Sequence, residues 1–113
     1  MIAKKLPHTF TELVSHSELP VLVNFWAEWC VPCHMISPSI KRIAAKYADR
    51  MITVKMNVDE KPQIAADFNV ESVPTILMFK NGKEIKRNIG AMTFEALTKE
   101  IEELLLQPDE ILV

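Results

Sequence analysis

An apolar segment runs directly into a Cys-x-x-Cys turn and then into a helical pattern, and this order restricts the fold more than any other feature. Residues 20–27, PVLVNFWA, are nearly continuously apolar and rich in valine and aromatic side chains, which predicts a buried central strand. Cys30 follows at once, and Pro32 stands where the first turn of a helix tolerates a missing N–H. We therefore expect both cysteines at the junction of this strand and the next helix.

The other segments predict helices and strands that alternate along the chain. Helical spacing of apolar residues occurs in HTFTELVSHSEL, from Pro32 to about Arg50, in EKPQIAADF, and in TFEALTKEIEELLL with Thr93 as N-cap. Strand patterns occur in MITVKMNVD and in TILMFK and EIKRNI, which flank the hairpin signal Asn81-Gly82. Residues 2–6 are a candidate edge strand. This order predicts a single α/β domain over residues 1–113 with a mixed sheet.

The long helix after Pro32 carries two specific expectations. Pro38 lies inside it and should kink it. Its buried face is expected to consist of Met35, Ile36, Ile40, Ile43 and Ala44.

Composition and charge exclude several classes of protein. The 113 residues are 49% hydrophobic and 25% charged, which is ordinary for a globular domain. A net charge of −2 gives no electrostatic reason to expect a nucleic acid or a membrane as partner. No apolar run approaches the ~20 residues of a membrane helix. MIAKKLPHTF lacks the apolar core of a signal peptide. We expect a cytoplasmic, reducing location, where a close cysteine pair is catalytic or binds metal.

The stretch WCVPCH allows three kinds of site. Cys-x-x-Cys is the spacing of a redox dithiol, and Cys-x-x-Cys-His is that of covalent haem attachment. Haem requires a second axial ligand, for which only a methionine, His8 or His16 remains, and an open pocket. A closed zinc site requires a second ligand pair, which the chain lacks. The strand-to-helix position therefore favours the redox dithiol, with no metal and no bound cofactor.

The two sulfurs are expected to play different parts. Residues three apart in a helical turn lie within the ~4.4–6.8 Å Cα separation of a disulfide. A helix N-terminus favours a thiolate at Cys30, because unpaired N–H groups and the helix dipole stabilise negative charge. Cys33 lies one turn deeper, so we expect it to be more shielded and to resolve a mixed disulfide. The closed ring is four residues long and contributes roughly 2 kcal/mol.

In these motifs the sequence resembles the thioredoxin family. VNFWAEWCVPC is similar to the family's active-site strand and turn, and Pro38 stands where the family kinks its second helix. VPT at 73–75 resembles the cis-proline loop, FKNG at 79–82 the hairpin, and IGA at 89–91 the substrate-groove loop. The resemblance covers about residues 20–105. It implies a thioredoxin fold, a central mixed five-stranded β-sheet flanked by four α-helices.

The resemblance also implies roles for individual residues. Cys30 would be the nucleophile and Cys33 the resolving thiol, with the Val73–Pro74 bond cis across the groove from them. Pro32 would support the dithiol. The surface that receives an extended substrate segment would consist of Trp29, Val73, Gly90 and Ala91. The alternative role for Trp29 and Val73 is packing in the core. The alternative for Gly90 is a turn that requires positive φ.

Three positions, Val31, His34 and Asn24, differ from the family pattern, and one of these differences affects Lys55, which matches the family's buried lysine. Val31 replaces the usual glycine and His34 the usual lysine or arginine, so the family's redox potential is not assumed to transfer. Asn24 occupies the position of a buried aspartate that accepts the proton of the resolving thiol, and an amide has no basic site. Lys55 thereby loses an anionic partner, so it should reach solvent or have a lowered pKa. We expect Asn24 to slow resolution by Cys33, unless it is a neutral strand residue.

The sequence predicts a thioredoxin-type protein disulfide reductase. Its expected partners are proteins that contain disulfides and a thioredoxin reductase that restores the dithiol, and a monomer is expected. One alternative is a thioredoxin-fold module that senses redox state or binds a partner protein with little turnover; Asn24 and Val31 favour it. Another is an oxidase or isomerase of an oxidising compartment.

Overall fold

A computed structural model describes residues 9–107 of the chain. Four helices and four strands follow one another in these residues. They are α1 (Phe10–His16), β1 (Val21–Trp26), α2 (Val31–Lys46), β2 (Ile52–Asn57), α3 (Pro62–Asp67), β3 (Thr75–Lys80), β4 (Lys83–Ile89) and α4 (Phe94–Leu106). No helix among the described residues is both long and apolar enough to cross a membrane.

The sheet has the strand order β2-β1-β3-β4 among residues 9–107, so β1 lies inside it. β1 runs parallel to β2 and antiparallel to β3, and β3 and β4 form an antiparallel hairpin. The α/β class and the mixed sheet predicted from the sequence are therefore confirmed. The candidate edge strand at residues 2–6, which would supply the fifth strand, lies outside the described residues.

The two faces of the sheet build separate parts of the core because strand side chains alternate between faces. One face of β1 packs with α2 and α4: Leu22 is buried together with Ile36, Ile40 and Ile101. The other face of β1 lies against α1 and α3. The buried residues on this side form one cluster: Val14, Val21, Val23, Phe25, Met56, Leu77 and Phe79. Burial on both faces explains why the β1 segment is apolar at almost every position.

The long helix differs from the prediction at its ends and on its buried face. α2 begins at Val31 and ends at Lys46, with Tyr47 as C-cap, so it stops before Arg50. Met35 is 73% exposed, and its predicted place on the buried face was wrong. One residue corresponds to a rotation of about 100° around a helix, so the side chain that precedes buried Ile36 points away from the sheet. Pro38 lies inside α2, and the kink remains a prediction.

Short local signals set the other boundaries as expected. Asn81 and Gly82 have φ of 55° and 79°, the left-handed pair that a two-residue hairpin turn requires. A Cβ at Gly82 would also lie 3.1 Å from the backbone oxygen of Ser15, so glycine is needed there for space as well. Thr93 caps α4, because its hydroxyl accepts the N–H of Ala96 at 3.0 Å.

Candidate active site

The two cysteines lie at the amino end of α2, immediately after β1 ends. Cys30 is the N-cap residue and is disulfide-bonded to Cys33, with 5.3 Å between the Cα atoms. The backbone N–H of Cys33 donates to the Cys30 sulfur at 3.2 Å. The sulfur therefore occupies the place of a capping oxygen and accepts one of the N–H groups that the first turn leaves unpaired.

This position favours the ionised form of Cys30 when the disulfide is open. The helix dipole places positive potential at the first turn, and the N–H of Cys33 is already directed at the Cys30 sulfur. The expected difference in shielding is absent in the disulfide form, because Cys30 is 3% and Cys33 2% exposed. It is therefore the cap geometry, and not burial, that distinguishes the two sulfurs.

The loop before β3 packs against the disulfide. The Val73–Pro74 peptide bond is cis, as the resemblance implied. Val73 contacts the buried cluster of Ala27, Cys30 and Cys33. The amide of Gly90 donates to the Pro74 carbonyl at 2.9 Å, so the chain after β4 is tied to the same loop.

Gly90 and Ala91 lie at the end of β4, beside the Pro74 loop. Gly90 has φ of 102°, and a Cβ there would meet no atom within 4 Å. The backbone conformation, and not a lack of space, is therefore what requires glycine. Ala91 is exposed. These positions leave the backbone open to solvent next to the cis-proline loop.

Trp29 forms one wall of a shallow groove beside the disulfide. It is 69% exposed, so the alternative of core packing was wrong for this residue. The groove is lined by Trp29, Val58, Val70, Glu71, Ser72 and Val73. Its floor reaches the cysteine cluster, because Val58 and Val73 both pack against it. The exposed indole therefore presents an apolar surface beside the disulfide.

Asp59 fixes the orientation of this tryptophan, and the sequence analysis missed it. The indole N–H of Trp29 donates to an Asp59 carboxylate oxygen at 2.8 Å. Asn57 shapes the turn, because its side-chain oxygen accepts the N–H groups of Asp59 and Glu60 at 2.9 and 3.2 Å. β2 is a parallel neighbour of β1, so polar residues after its carboxyl end lie at the same sheet edge as the cysteines. The shared edge of these two parallel strands was the signal that could have identified Asp59 from the sequence.

Asn24 is buried on the side of β1 that faces α2. Its side chain lies on the same face of β1 as Leu22, which packs against α2, and Trp26, which packs near the cysteines. The residue is 3% exposed, and its side-chain oxygen has no hydrogen-bond partner among residues 9–107. A buried acceptor therefore stands on the same face as the dithiol, without a proton donor.

Lys55 reaches solvent, which is one of the two outcomes expected from the loss of a carboxylate at position 24. It pairs with Asn24 in the register of β1 and β2 and is exposed. Its ammonium nitrogen lies 4.5 Å from the centre of the Trp26 ring. The indole face thus provides the electrostatic contact that a carboxylate would otherwise supply.

His34 ties the first turn of α2 to the loop before it. Its Nε2–H donates to the Glu28 carbonyl at 2.7 Å, and its ring lies edge-to-face with Trp26 at 6.0 Å between centroids. The side chain is exposed. This bond makes Nε2 the protonated ring nitrogen and leaves Nδ1 as the nitrogen that carries the lone pair.

These features together describe a site for thiol–disulfide exchange. A cysteine pair joined as a disulfide lies at a helix N-terminus, next to an apolar groove and a cis-proline loop. A Cys-x-x-Cys pair in this setting exchanges electrons with other disulfides through a mixed disulfide. The fold and the site define the chain as a thiol–disulfide oxidoreductase.

Comparison with known proteins identifies the family. The thioredoxin family profile matches residues 1–103. The M-type chloroplastic thioredoxin of Chlamydomonas reinhardtii is 42% identical over 97 residues, covering 86% of this chain and 69% of that protein. Thioredoxin 1 of Chlorobaculum tepidum is 40% identical over 96 residues, covering 85% of this chain and 95% of that protein. The chain belongs to the thioredoxin family.

Proposed function

We propose that the chain reduces protein disulfides through the pair Cys30 and Cys33. The Cys30 thiolate attacks one sulfur of a substrate disulfide, the substrate S–S bond breaks, and the departing sulfur takes up a proton. The Cys33 thiolate then attacks the Cys30 sulfur and releases the second substrate thiol. Two electrons pass from the dithiol to the substrate, and the chain is left with its own disulfide. The observation that supports this order is the N–H of Cys33 directed at the Cys30 sulfur.

The groove and the neighbouring loops are proposed to hold an extended substrate segment. Trp29 and Val73 supply the apolar contacts, and Gly90 and Ala91 leave room for a second backbone beside the Pro74 loop. Pro32 fits the first turn of α2, where no amide hydrogen is required.

A separate thioredoxin reductase is proposed to return the disulfide to the dithiol, since the chemistry itself needs no bound cofactor. Relatives that are named thioredoxin and are about 40% identical to this chain support this arrangement. We place the protein in the cytoplasm as a monomer and treat residues 1–113 as one thioredoxin domain.

The order of attack is tested by trapping the mixed disulfide. Reduced Cys33→Ser should form a stable adduct with a protein disulfide such as insulin, because nothing resolves the bond at Cys30. Cys30→Ser is the matched control and should form far less adduct. Mass spectrometry of alkylation-quenched reactions measures both. Equal trapping by the two variants would contradict the assignment of the nucleophile.

A second candidate is a redox-sensing or partner-binding module with little turnover. The buried Asn24 oxygen without a proton donor is the observation that favours it, because it leaves Cys33 without a neighbouring base on that strand. Turnover of insulin with dithiothreitol as reductant separates the two functions. A reductase accelerates precipitation of the insulin B chain well above dithiothreitol alone, and a binding module does not.

A further inference from the structure

The groove beside the dithiol is apolar, but the side chains around it are acidic. The three loops that supply the residues of this groove carry four exposed carboxylates: Glu28, Asp59, Glu60 and Glu71. Two of them belong to the groove itself, since Glu71 lines it and Asp59 holds the indole of Trp29. The acidic rim, as we call these four residues, therefore lies where a substrate chain would enter.

The charges of the acidic rim are not neutralised within the described chain. The ion pairs within 4 Å that join two residues of 9–107 are Lys86–Glu100 and Arg87–Glu84, and neither includes the rim. Arg87 approaches the loop before β3 through the carbonyls of Phe68 and Asn69, but Glu84 accepts two of its hydrogen bonds. Its charge is therefore already compensated.

Few cations face the same region. Lys55 lies on β2 and Lys61 directly follows Glu60 as the N-cap of α3, and both are exposed. The Lys55 ammonium is held over the Trp26 ring, on the side of the sheet that α2 covers. His34 donates to the Glu28 carbonyl. The three loops thus carry four carboxylates against one lysine, Lys61, and from this excess we expect a negative potential at the groove.

We infer that the groove selects peptide disulfides whose flanking residues are lysine or arginine. The inference rests on the proposed function, because it concerns the substrate of the same dithiol. An extended segment that lies on Trp29 and Val73 passes within reach of Glu71 and Asp59. Basic side chains on that segment meet exposed carboxylates, whereas acidic ones meet like charge. The charge acts mainly on the rate of association and is weakened by salt.

The selection is tested with three disulfide peptides of one design that carry lysine, neutral or glutamate residues beside the cysteines. Flanking charge also changes the acidity of the peptide thiols, so each rate is divided by the rate with dithiothreitol alone. At an ionic strength of about 0.02 M we expect the normalised kcat/KM of the lysine peptide to exceed that of the glutamate peptide at least about fivefold. At about 0.5 M the ratio should fall to less than about twofold.

Charge reversal locates the effect on the molecule. The double variant Glu60→Lys/Glu71→Lys keeps Asp59, and with it the contact to Trp29, and should abolish or invert the peptide preference. The matched control is Glu103→Lys on α4. The residue next to it, Glu102, accepts a hydrogen bond from the hydroxyl of Tyr47. Tyr47 lies at the carboxyl end of α2, about 24 Å along that helix from Cys30, so Glu103 is far from the groove. The control should keep the preference within about twofold of the parent.

Failure of this inference is distinct from failure of the proposed function. If the neutral peptide is reduced but the lysine and glutamate peptides react equally, charge selection is wrong and the reductase remains. A preference that survives the double variant, or that Glu103→Lys removes equally, also overturns the role of the rim. If no peptide is reduced faster than by dithiothreitol alone, the proposed reductase function itself fails.

Discussion

Asn24 is a buried residue that stands where the resemblance to the family implies an aspartate. A buried acceptor without a donor costs about 1–3 kcal/mol, and the Asn24 oxygen is such an acceptor among residues 9–107. Resolution by Cys33 requires that its thiol lose a proton, and an amide cannot accept one. At the scale of one side chain, the chain therefore has a hydrogen-bonding group where a base would assist the second step of exchange.

Replacement of Asn24 by aspartate should accelerate resolution. A positioned general base is typically worth ~10²–10⁴ in rate, so we expect an increase of at least tenfold near neutral pH. Stopped-flow mixing of the reduced protein with Ellman's reagent measures it, because attack by Cys30 releases one thionitrobenzoate and resolution by Cys33 the second.

Two controls belong to this measurement. Cys33→Ser should show only the first release, which assigns the second phase. Thermal unfolding of Asn24→Asp checks that the buried carboxylate is tolerated. Equal second-phase rates in the parent and in a folded Asn24→Asp would remove any kinetic role for this residue.

The apolar contact between α2 and α4 includes one hydrogen bond from a buried tyrosine. Tyr47 is fully buried at the C-cap of α2, and its hydroxyl donates to a Glu102 carboxylate oxygen at 2.7 Å. Lys46 and Arg50 lie over the Tyr47 ring, with the charged atoms 5.4 and 5.1 Å from its centre. The hydrogen bond joins the helix that carries the dithiol to its neighbour, at the end away from the cysteines.

Tyr47→Phe should lower the free energy of unfolding by about 1 kcal/mol at pH 7, because the hydrogen bond to Glu102 is lost while the ring remains. Guanidinium denaturation of the oxidised protein measures this. The exposed Glu103→Gln on the same helix is the control and should change stability by less than about 0.5 kcal/mol. A Tyr47→Phe protein as stable as the parent would show that the bond contributes nothing.

The same variant should reveal a dependence on alkaline pH. Burial, together with the hydrogen bond to Glu102 and its charge, raises the pKa of Tyr47 from 10.0 to about 12. The unfolded chain releases this proton first, so the stabilisation is complete below pH 10 and is lost as pH rises toward 12. The stability of the parent should therefore fall toward that of Tyr47→Phe across this range. A gap that stays constant with pH would contradict the raised pKa.

The elements that the sequence predicted well are those with a local physical signal. The doubly buried strand β1, the turn at Asn81-Gly82 and the cap at Thr93 each depend on residues adjacent in the chain. Met35 and the end of α2 were misjudged because neighbouring elements decide which helical residues are covered. Asp59 was missed because its partner Trp29 is thirty residues away. Tertiary pairing of this kind leaves no periodic trace in the sequence.

At the scale of the whole molecule, the redox state of Cys30 and Cys33 should change the stability of the fold. The disulfide closes a ring of four residues, which limits its contribution to roughly 2 kcal/mol. We expect the oxidised protein to be more stable than the reduced one by about this amount. Paired guanidinium titrations with and without dithiothreitol measure the difference. A reduced form as stable as the oxidised one would show that the fold does not favour the closed pair.

Lys80 anchors the carboxyl end of α4 to the end of β3. The Lys80 ammonium donates to the carbonyls of Leu104 and Gln107 at 3.1 and 2.5 Å, at the carboxyl end of α4. Lys80 ends the strand that begins next to Pro74, and six strand residues separate these ends by roughly 17 Å. Gln107 is therefore held on the side opposite the dithiol, where a reporter or solid support can be attached. Immobilisation through that end should leave the reactive sulfur accessible to large proteins.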